Sequence, residues 1–202
     1  MTPTLYHCSG ARSVRPLWTL LEMGLEHKLI TLQFPPRVHN KEFKEINPLG
    51  TVPCLIDGSL NMTESAGICQ YLADRYGPTD LAVGRDDADY GVYLNWLHRS
   101  DATLTFPQTI YFRYTQLEPP ERRVPQAAED YKIWFLARLR SVESALEDRQ
   151  YLCAGRFTLA DIVIAYCLFF ARRLGIEEAF TPNIQRWYDL VTDRPAFREA
   201  TR

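Results

Sequence analysis

Hydrophobic and polar positions divide the 202-residue chain into two regions of different rhythm. Up to about residue 77, short apolar runs alternate with turn residues. Thr4-Leu5-Tyr6-His7 reads as a strand and Cys8 to Arg12 as a loop. Ser13 is placed to cap a helix whose apolar positions, Val14, Leu17, Trp18 and Leu21, recur at helical spacing. Pro16 falls in its first turn, where proline is tolerated, and Gly24 is a suitable stop. His27 to Leu32 predicts a second strand, Phe34-Pro35-Pro36 a loop, and residues 40–46 a short polar helix. Two further strands flank an Asp57-Gly58 turn. A helix is expected to start at Thr63, with Glu64 and Ser65 in its first turn and Ile68, Leu72 and Tyr76 buried.

The order is βαβ followed by ββα. The first two strands are expected to be parallel, joined by a crossover helix, and the last two antiparallel. That is a thioredoxin-like arrangement over residues 1–77. Residues 78–85 read as a linker, and residues 86–202 as an all-helical domain, giving an α/β plus all-α fold. A long helical pattern from Asp86 to about Gln116 is broken by Glu118-Pro119-Pro120. Trp96 and His98 are assigned to the core. Tyr131, Phe135, Leu139, Val142 and Leu146 mark one face of the next helix. Thr158-Leu159-Ala160-Asp161 is a capping box with Asp in place of the usual Glu, and Phe157 and Ile162 sit where a hydrophobic staple would place them. The body of that helix, Ile162 to Phe170, is apolar almost all round, so it should form the core of its domain. Ile184, Trp187, Tyr188 and Val191 define a last amphipathic helix.

Composition adds exclusions. With 46% hydrophobic and 24% charged residues the balance is that of a globular protein. A net charge of -2 and a pI near 6.1 give no footprint for nucleic acid or an anionic membrane. The longest apolar run, Ile162 to Ala171, is too short to span a bilayer. The N-terminal residues lack a secretory pattern, so a cytoplasmic location is expected. The five cysteines are Cys8, Cys54, Cys69, Cys153 and Cys167. They form no C-x-x-C and have no histidine at ligand spacing, so no metal is expected and the thiols should be reduced and mostly buried.

Candidate chemistry concentrates in residues 47–65. Pro53 opens a strand without a backbone donor, which leaves the Val52 main chain to pair with an extended ligand. A tight turn before Val52-Pro53 is also where a cis bond would sit. At the start of the following helix, free N–H groups favour a carboxylate, and Glu64 suits an ammonium. Val52-Pro53 followed by Glu64-Ser65 resembles the glutathione-binding core of the soluble glutathione transferases. Gly155 to Asp161 is similar to the folding motif of that family's helical domain. The resemblance runs end to end and is bacterial-like, with no class assigned.

The resemblance implies a cytoplasmic, homodimeric detoxification enzyme with glutathione as co-substrate. Its thiolate would attack a small apolar electrophile or a peroxide. Val52 and Pro53 would hold the cysteinyl unit, Glu64 and Ser65 the γ-glutamyl ammonium and carboxylate, and His39 and Lys41 the glycyl carboxylate. A thiol with a pKa near about 8.5 must be stabilised as an anion. Ser13, at the start of the first helix, leads among the candidates. Tyr6 is its main rival, Arg12 could act through its charge, and Cys8 would open a thiol transferase or disulfide reductase chemistry instead. Phe106, Tyr111, Phe112 and Tyr114, with Phe169 and Arg172 opposite, are candidates for the second-substrate pocket, and Asp101 for the residue that reaches a partner's glutathione. A non-catalytic binding protein on the same fold is the third reading, and an isomerase or dehalogenase is compatible with it.

Overall fold

Strand β1 (Thr4–His7) lies between β2 (Lys28–Thr31), to which it is parallel, and β3 (Cys54–Asp57), to which it is antiparallel. Strand β4 (Leu60–Met62) completes the sheet, in the order β2-β1-β3-β4. The computed structural model describes residues 2–177 and 180–202. Leu5 and Leu55 are register partners, and both are fully buried. The alternate partners Tyr6 and Cys54 occupy the opposite face, where the Tyr6 ring lies 5.0 Å from Phe43. This is the thioredoxin-like arrangement read from the sequence.

Helix α1 (Val14–Glu22) buries Val14, Leu17, Trp18 and Leu20 and packs against α3 (Ser65–Tyr76). Between them, the polar helix expected over residues 40–46 is a 3-10 turn only, and a short helix that the pattern did not predict precedes it. Helix α2 (Pro36–His39) and a 3-10 turn (Lys41–Glu45) are divided by the non-helical backbone of Asn40, at φ -130 and ψ 75. Helix α3 begins two residues later than expected. Glu64 is extended, at φ -85 and ψ 115, because the chain is still leaving β4, and its carbonyl accepts the first helical bond from Ile68 N–H. Tyr76 is only half-buried, since its hydroxyl donates to Asp57 Oδ2 at 2.6 Å, beside Tyr71 at 2.8 Å. Cys69 fills the core on that face.

The chain forms two compact units, Met1–Ala82 with Thr192–Arg202, and Val83–Val191. The last residues therefore leave the all-helical region in which the sequence placed them. A terminal helix not foreseen from the pattern, α9 (Pro195–Ala200), sets Phe197 edge-on against Trp18 at 4.8 Å. Arg194 grips Glu22 with two hydrogen bonds of 2.6 and 2.7 Å, and Trp18 Nε1 donates to the same carboxylate at 2.9 Å.

In the second unit the long pattern begins at Tyr90. Helix α4 (Tyr90–Arg99) and α5 (Phe106–Phe112) are joined by a π turn, Ser100–Thr105, and a second π turn, Arg113–Leu117, follows α5. The Phe106 N–H bonds to the Asp101 carbonyl five residues back, while Thr105 Oγ1 donates to the Ser100 carbonyl at 2.6 Å. Trp96 and Leu97 enter the core, whereas His98 falls on the opposite face and is exposed. Helix α6 (Pro125–Leu146) buries Phe135, Leu139, Val142 and Leu146, and α8 (Pro182–Thr192) buries Ile184, Trp187, Tyr188 and Val191. No described helix is long and apolar enough to cross a membrane.

Helix α7 (Leu159–Arg173) is the core of this unit, with Leu159 to Leu168 all buried. Both halves of its capping box are formed. Asp161 also reaches outward from the helix. Its Oδ2 accepts from Thr158 N–H at 2.9 Å and Thr158 Oγ1 at 3.2 Å, and its Oδ1 accepts from Trp187 Nε1 at 2.9 Å and Leu152 N–H at 3.1 Å. Burial nevertheless raises its pKa to about 6, the four donors offsetting only part of that cost. Between about pH 4 and 6 the native state holds a proton that the unfolded chain has released. Stability therefore carries a term that is full below pH 4 and is lost as pH rises through 6, about 3 kcal/mol in size. The difference in urea-unfolding free energy between wild type and Asp161→Asn, which cannot titrate, is expected to change by that amount across the window. A difference that is flat with pH contradicts it.

Candidate functional site

The stretch before β3 is shaped by two asparagines. Asn47 is buried, donates to the Thr51 carbonyl at 2.8 Å and accepts from Leu49 N–H at 3.1 Å. Asn61, on β4, donates to the Ile46 carbonyl at 2.7 Å. Gly50 has φ +59, and a side chain there would meet Arg37 Cβ at 2.8 Å, so glycine lets α2 close onto the loop. This delivers Val52 to the edge of β3 with a cis bond to the buried Pro53. Among the described residues, no main-chain hydrogen bond engages Val52. A ligand backbone can pair there as a strand would.

At the start of α3, Glu64 is exposed and Ser65 is 2% exposed. The side chain of its N-cap residue, Glu64, makes no cap bond. Ser65 Oγ instead accepts a hydrogen bond from Arg15 Nη1 at 2.8 Å. Arg15 lies on the packed face of α1 and is fully buried. Arg15 is not among the residues that the sequence pattern singles out. The available signal was a charged residue between Val14 and Leu17 on an otherwise apolar stripe.

The thiol-activating candidates have distinct surroundings. Ser13 is fully buried and makes no cap bond. Its Oγ accepts from Cys8 N–H at 3.1 Å and donates to the Cys8 carbonyl at 3.3 Å, closing the 8–13 loop on itself. The Cys8 thiol is buried, and burial pushes its pKa up to about 11, away from a reactive thiolate. Arg12 is half-buried in the turn that enters α1, and Tyr6 is half-buried on β1. His7 is buried, its pKa is lowered by desolvation, and its Nδ1 has no partner among the described residues. His39 and Lys41 are exposed, on either side of the break at Asn40, in the segment whose Arg37 lies against Gly50.

The aromatic residues of the helical unit have different neighbours. Phe106 is exposed and packs edge-on against Tyr131 of α6 at 5.9 Å. Phe112 meets Phe170 of α7 at 5.7 Å. Tyr111 and Tyr114 are half-buried, with Arg113 5.7 Å over the Tyr114 ring. Arg172 turns to α8, 4.5 Å over Tyr188, and donates to Gln185 Oε1 at 2.9 Å.

The family profile "Glutathione S-transferase, N-terminal domain" matches residues 11–75, and "Glutathione S-transferase, C-terminal domain" matches residues 125–190. GstB of Escherichia coli is 30% identical over 186 residues, covering 89% of this chain and 86% of its own. The chain belongs to the glutathione S-transferase family. Glutathione S-transferase 2 of Schizosaccharomyces pombe is 32% identical over 168 residues, which span 79% of this chain and 71% of that protein. Among solved structures, a glutathione transferase from Methylococcus capsulatus superposes with a TM-score of 0.87 at 25% identity, covering 99% of this chain and 97% of that one. Ure2p5 from Phanerochaete chrysosporium, cocrystallised with 1-(S-glutathionyl)-2,4-dinitrobenzene, gives 0.84 at 26% identity over 98% of this chain and 92% of its own.

In this glutathione transferase the Val52 edge and the start of α3 belong to the same domain. Among the described residues, no group of three or more His, Cys, Asp or Glu side chains is placed to hold a metal ion. The Ser13 bonds give a direct expectation. Ser13→Ala strands the Cys8 main-chain groups and should lower unfolding free energy by about 1–3 kcal/mol, read by urea denaturation. Unchanged stability would mean that the loop does not depend on that hydroxyl.

Proposed function

We propose that this transferase conjugates the glutathione thiolate to small apolar electrophiles and also reduces peroxides. In the reduction the sulfur attacks the O–O bond to release an alcohol or water, and a second glutathione then displaces water from the sulfenic acid to form the disulfide. The supporting observation is the buried Arg15–Ser65 pair at the start of α3, in the domain whose Val52 main chain is open. The cysteinyl unit lies along Val52-Pro53, the γ-glutamyl carboxylate on the start of α3 at Ser65, and the γ-glutamyl ammonium on Glu64. His39 and Lys41 receive the glycyl carboxylate. Phe106, Tyr111 and Tyr114 contribute to the second-substrate surface. The enzyme works as a homodimer in which Asp101 reaches the partner's glutathione, and its role is detoxification in the cytoplasm.

Arg12 is the proposed stabiliser of the thiolate. The Ser13 hydroxyl is already engaged by Cys8, and the raised Cys8 pKa weighs against the disulfide-reductase alternative. Arg12 brings a positive charge to the start of α1, where it favours an anion. Tyr6 is the next candidate. In the conjugation, the sulfur forms a bond to the electrophilic carbon and the leaving group departs with its electron pair. With 1-chloro-2,4-dinitrobenzene that group is chloride, and the product is the conjugate found with Ure2p5.

Glu64→Ala is expected to weaken glutathione binding by about tenfold or more in calorimetry. Binding equal to wild type removes Glu64 from the site. Arg12→Ala should lower kcat/KM for the chloronitrobenzene by about ten- to a hundredfold and move the rising limb of the pH–rate profile to higher pH. If Tyr6→Phe does this and Arg12→Ala does not, the stabiliser is the phenol.

A further inference from the structure

We infer that Arg15 is a positioning residue that makes the start of α3 selective for the α-carboxylate of the γ-glutamyl group, by fixing Ser65 as a donor. This rests on the proposed glutathione site and adds to it a residue outside the contact set.

The inference follows from the donor inventory of one bond. A guanidinium can only donate, so in the 2.8 Å contact between Arg15 Nη1 and Ser65 Oγ the serine oxygen must accept. The serine proton is thereby turned away from Arg15. Ser65 is almost wholly buried, and no described group accepts that proton. A hydroxyl that accepts from a cation is also a stronger donor, because the two bonds polarise each other. The first N–H groups of α3 lie on the same turn, and the N-cap Glu64 side chain makes no cap bond to them. The hydroxyl and the helix start together present donors that suit a carboxylate.

Arg15 itself does not reach solvent, so its contribution is made through Ser65. It sits on α1, fifty positions from Ser65 along the chain, and the packing of α1 on α3 sets the distance. The bond from Arg15 points to the start of α3, so its effect on an anion there is passed through the Ser65 hydroxyl. The selectivity expected is thus electrostatic and directional: the carboxylate is preferred, and a peptide lacking it loses the benefit.

The test compares glutathione with its decarboxylated analogue, 4-aminobutanoyl-cysteinylglycine, by calorimetry on the full chain. Wild type should bind glutathione at least about tenfold more tightly than the analogue. Arg15→Gln should erase most of that ratio, and Arg15→Lys, which keeps the charge, should restore part of it. In a Ser65→Ala background, Arg15→Gln should change the ratio by less than about threefold, because the two act as one unit. A purely structural role would weaken both peptides alike and leave the ratio intact, which overturns the inference. Should Arg15→Gln fail to fold, Arg15→Lys decides: a ratio equal to that of wild type overturns the proposal, and a reduced ratio with glutathione binding retained supports it. Failure of wild type to bind glutathione removes both this inference and the proposed function. A wild type that binds glutathione without the carboxylate preference removes only the inference.

Discussion

A buried guanidinium on one helix donating to a buried hydroxyl at the start of another is the interaction on which the N-terminal unit is arranged. Taking a full charge out of water is costly unless its donors are met, so Arg15 can be buried only in a fold that brings hydrogen-bond acceptors to it. Ser65 is one of those acceptors. The bond fixes the first residue of α3 relative to α1, and hence relative to β1, which precedes α1 by one short loop. The Ser13–Cys8 bonds close that loop from within. The start of α1, the start of α3 and the end of β1 are therefore held by polar contacts, over the apolar layer of Leu5, Leu55, Ile68 and Leu72.

The helical unit solves a similar problem with the opposite sign. Asp161 is a buried carboxylate that draws in donors from its own helix cap, from Leu152 and from Trp187 of α8. Its cost of burial is large enough to raise its pKa even with those donors present. A single acidic side chain thus organises a helix start, a preceding loop and a following helix. The Asp161 network has no part in the proposed site, whereas the Arg15–Ser65 bond borders it. Both hold backbone in place, and the main-chain groups left open, at Val52 and at the start of α3, are the ones a peptide ligand can satisfy.

Family membership and residue roles stand on different footings. The fold and the family follow from matches that span both domains. The roles depend on what each side chain touches. Ser13 stands at the start of α1, yet its hydroxyl is turned inward to Cys8. Phe106 and Phe112 lie on one short helix, yet they pack against different neighbours, because they are not on one face of it.

What the chain alone determined is what short-range physics writes into it. Strand alternation, helix periodicity and the Asp57-Gly58 turn needed only neighbours within a few positions. So did the Thr158–Asp161 capping box, whose partners are three residues apart. Val52-Pro53 and Glu64-Ser65 are adjacent pairs and stand out for the same reason, while their roles toward a ligand belong to the proposed site. Tertiary structure decided the rest. Arg15 finds Ser65 fifty residues away, and Arg194 finds Glu22 across 172, returning the tail to the first unit. Periodicity can say that a side chain faces inward, but not which distant group waits there. For polar side chains the identity of that group, and not burial itself, fixes whether they hold the fold or meet a ligand.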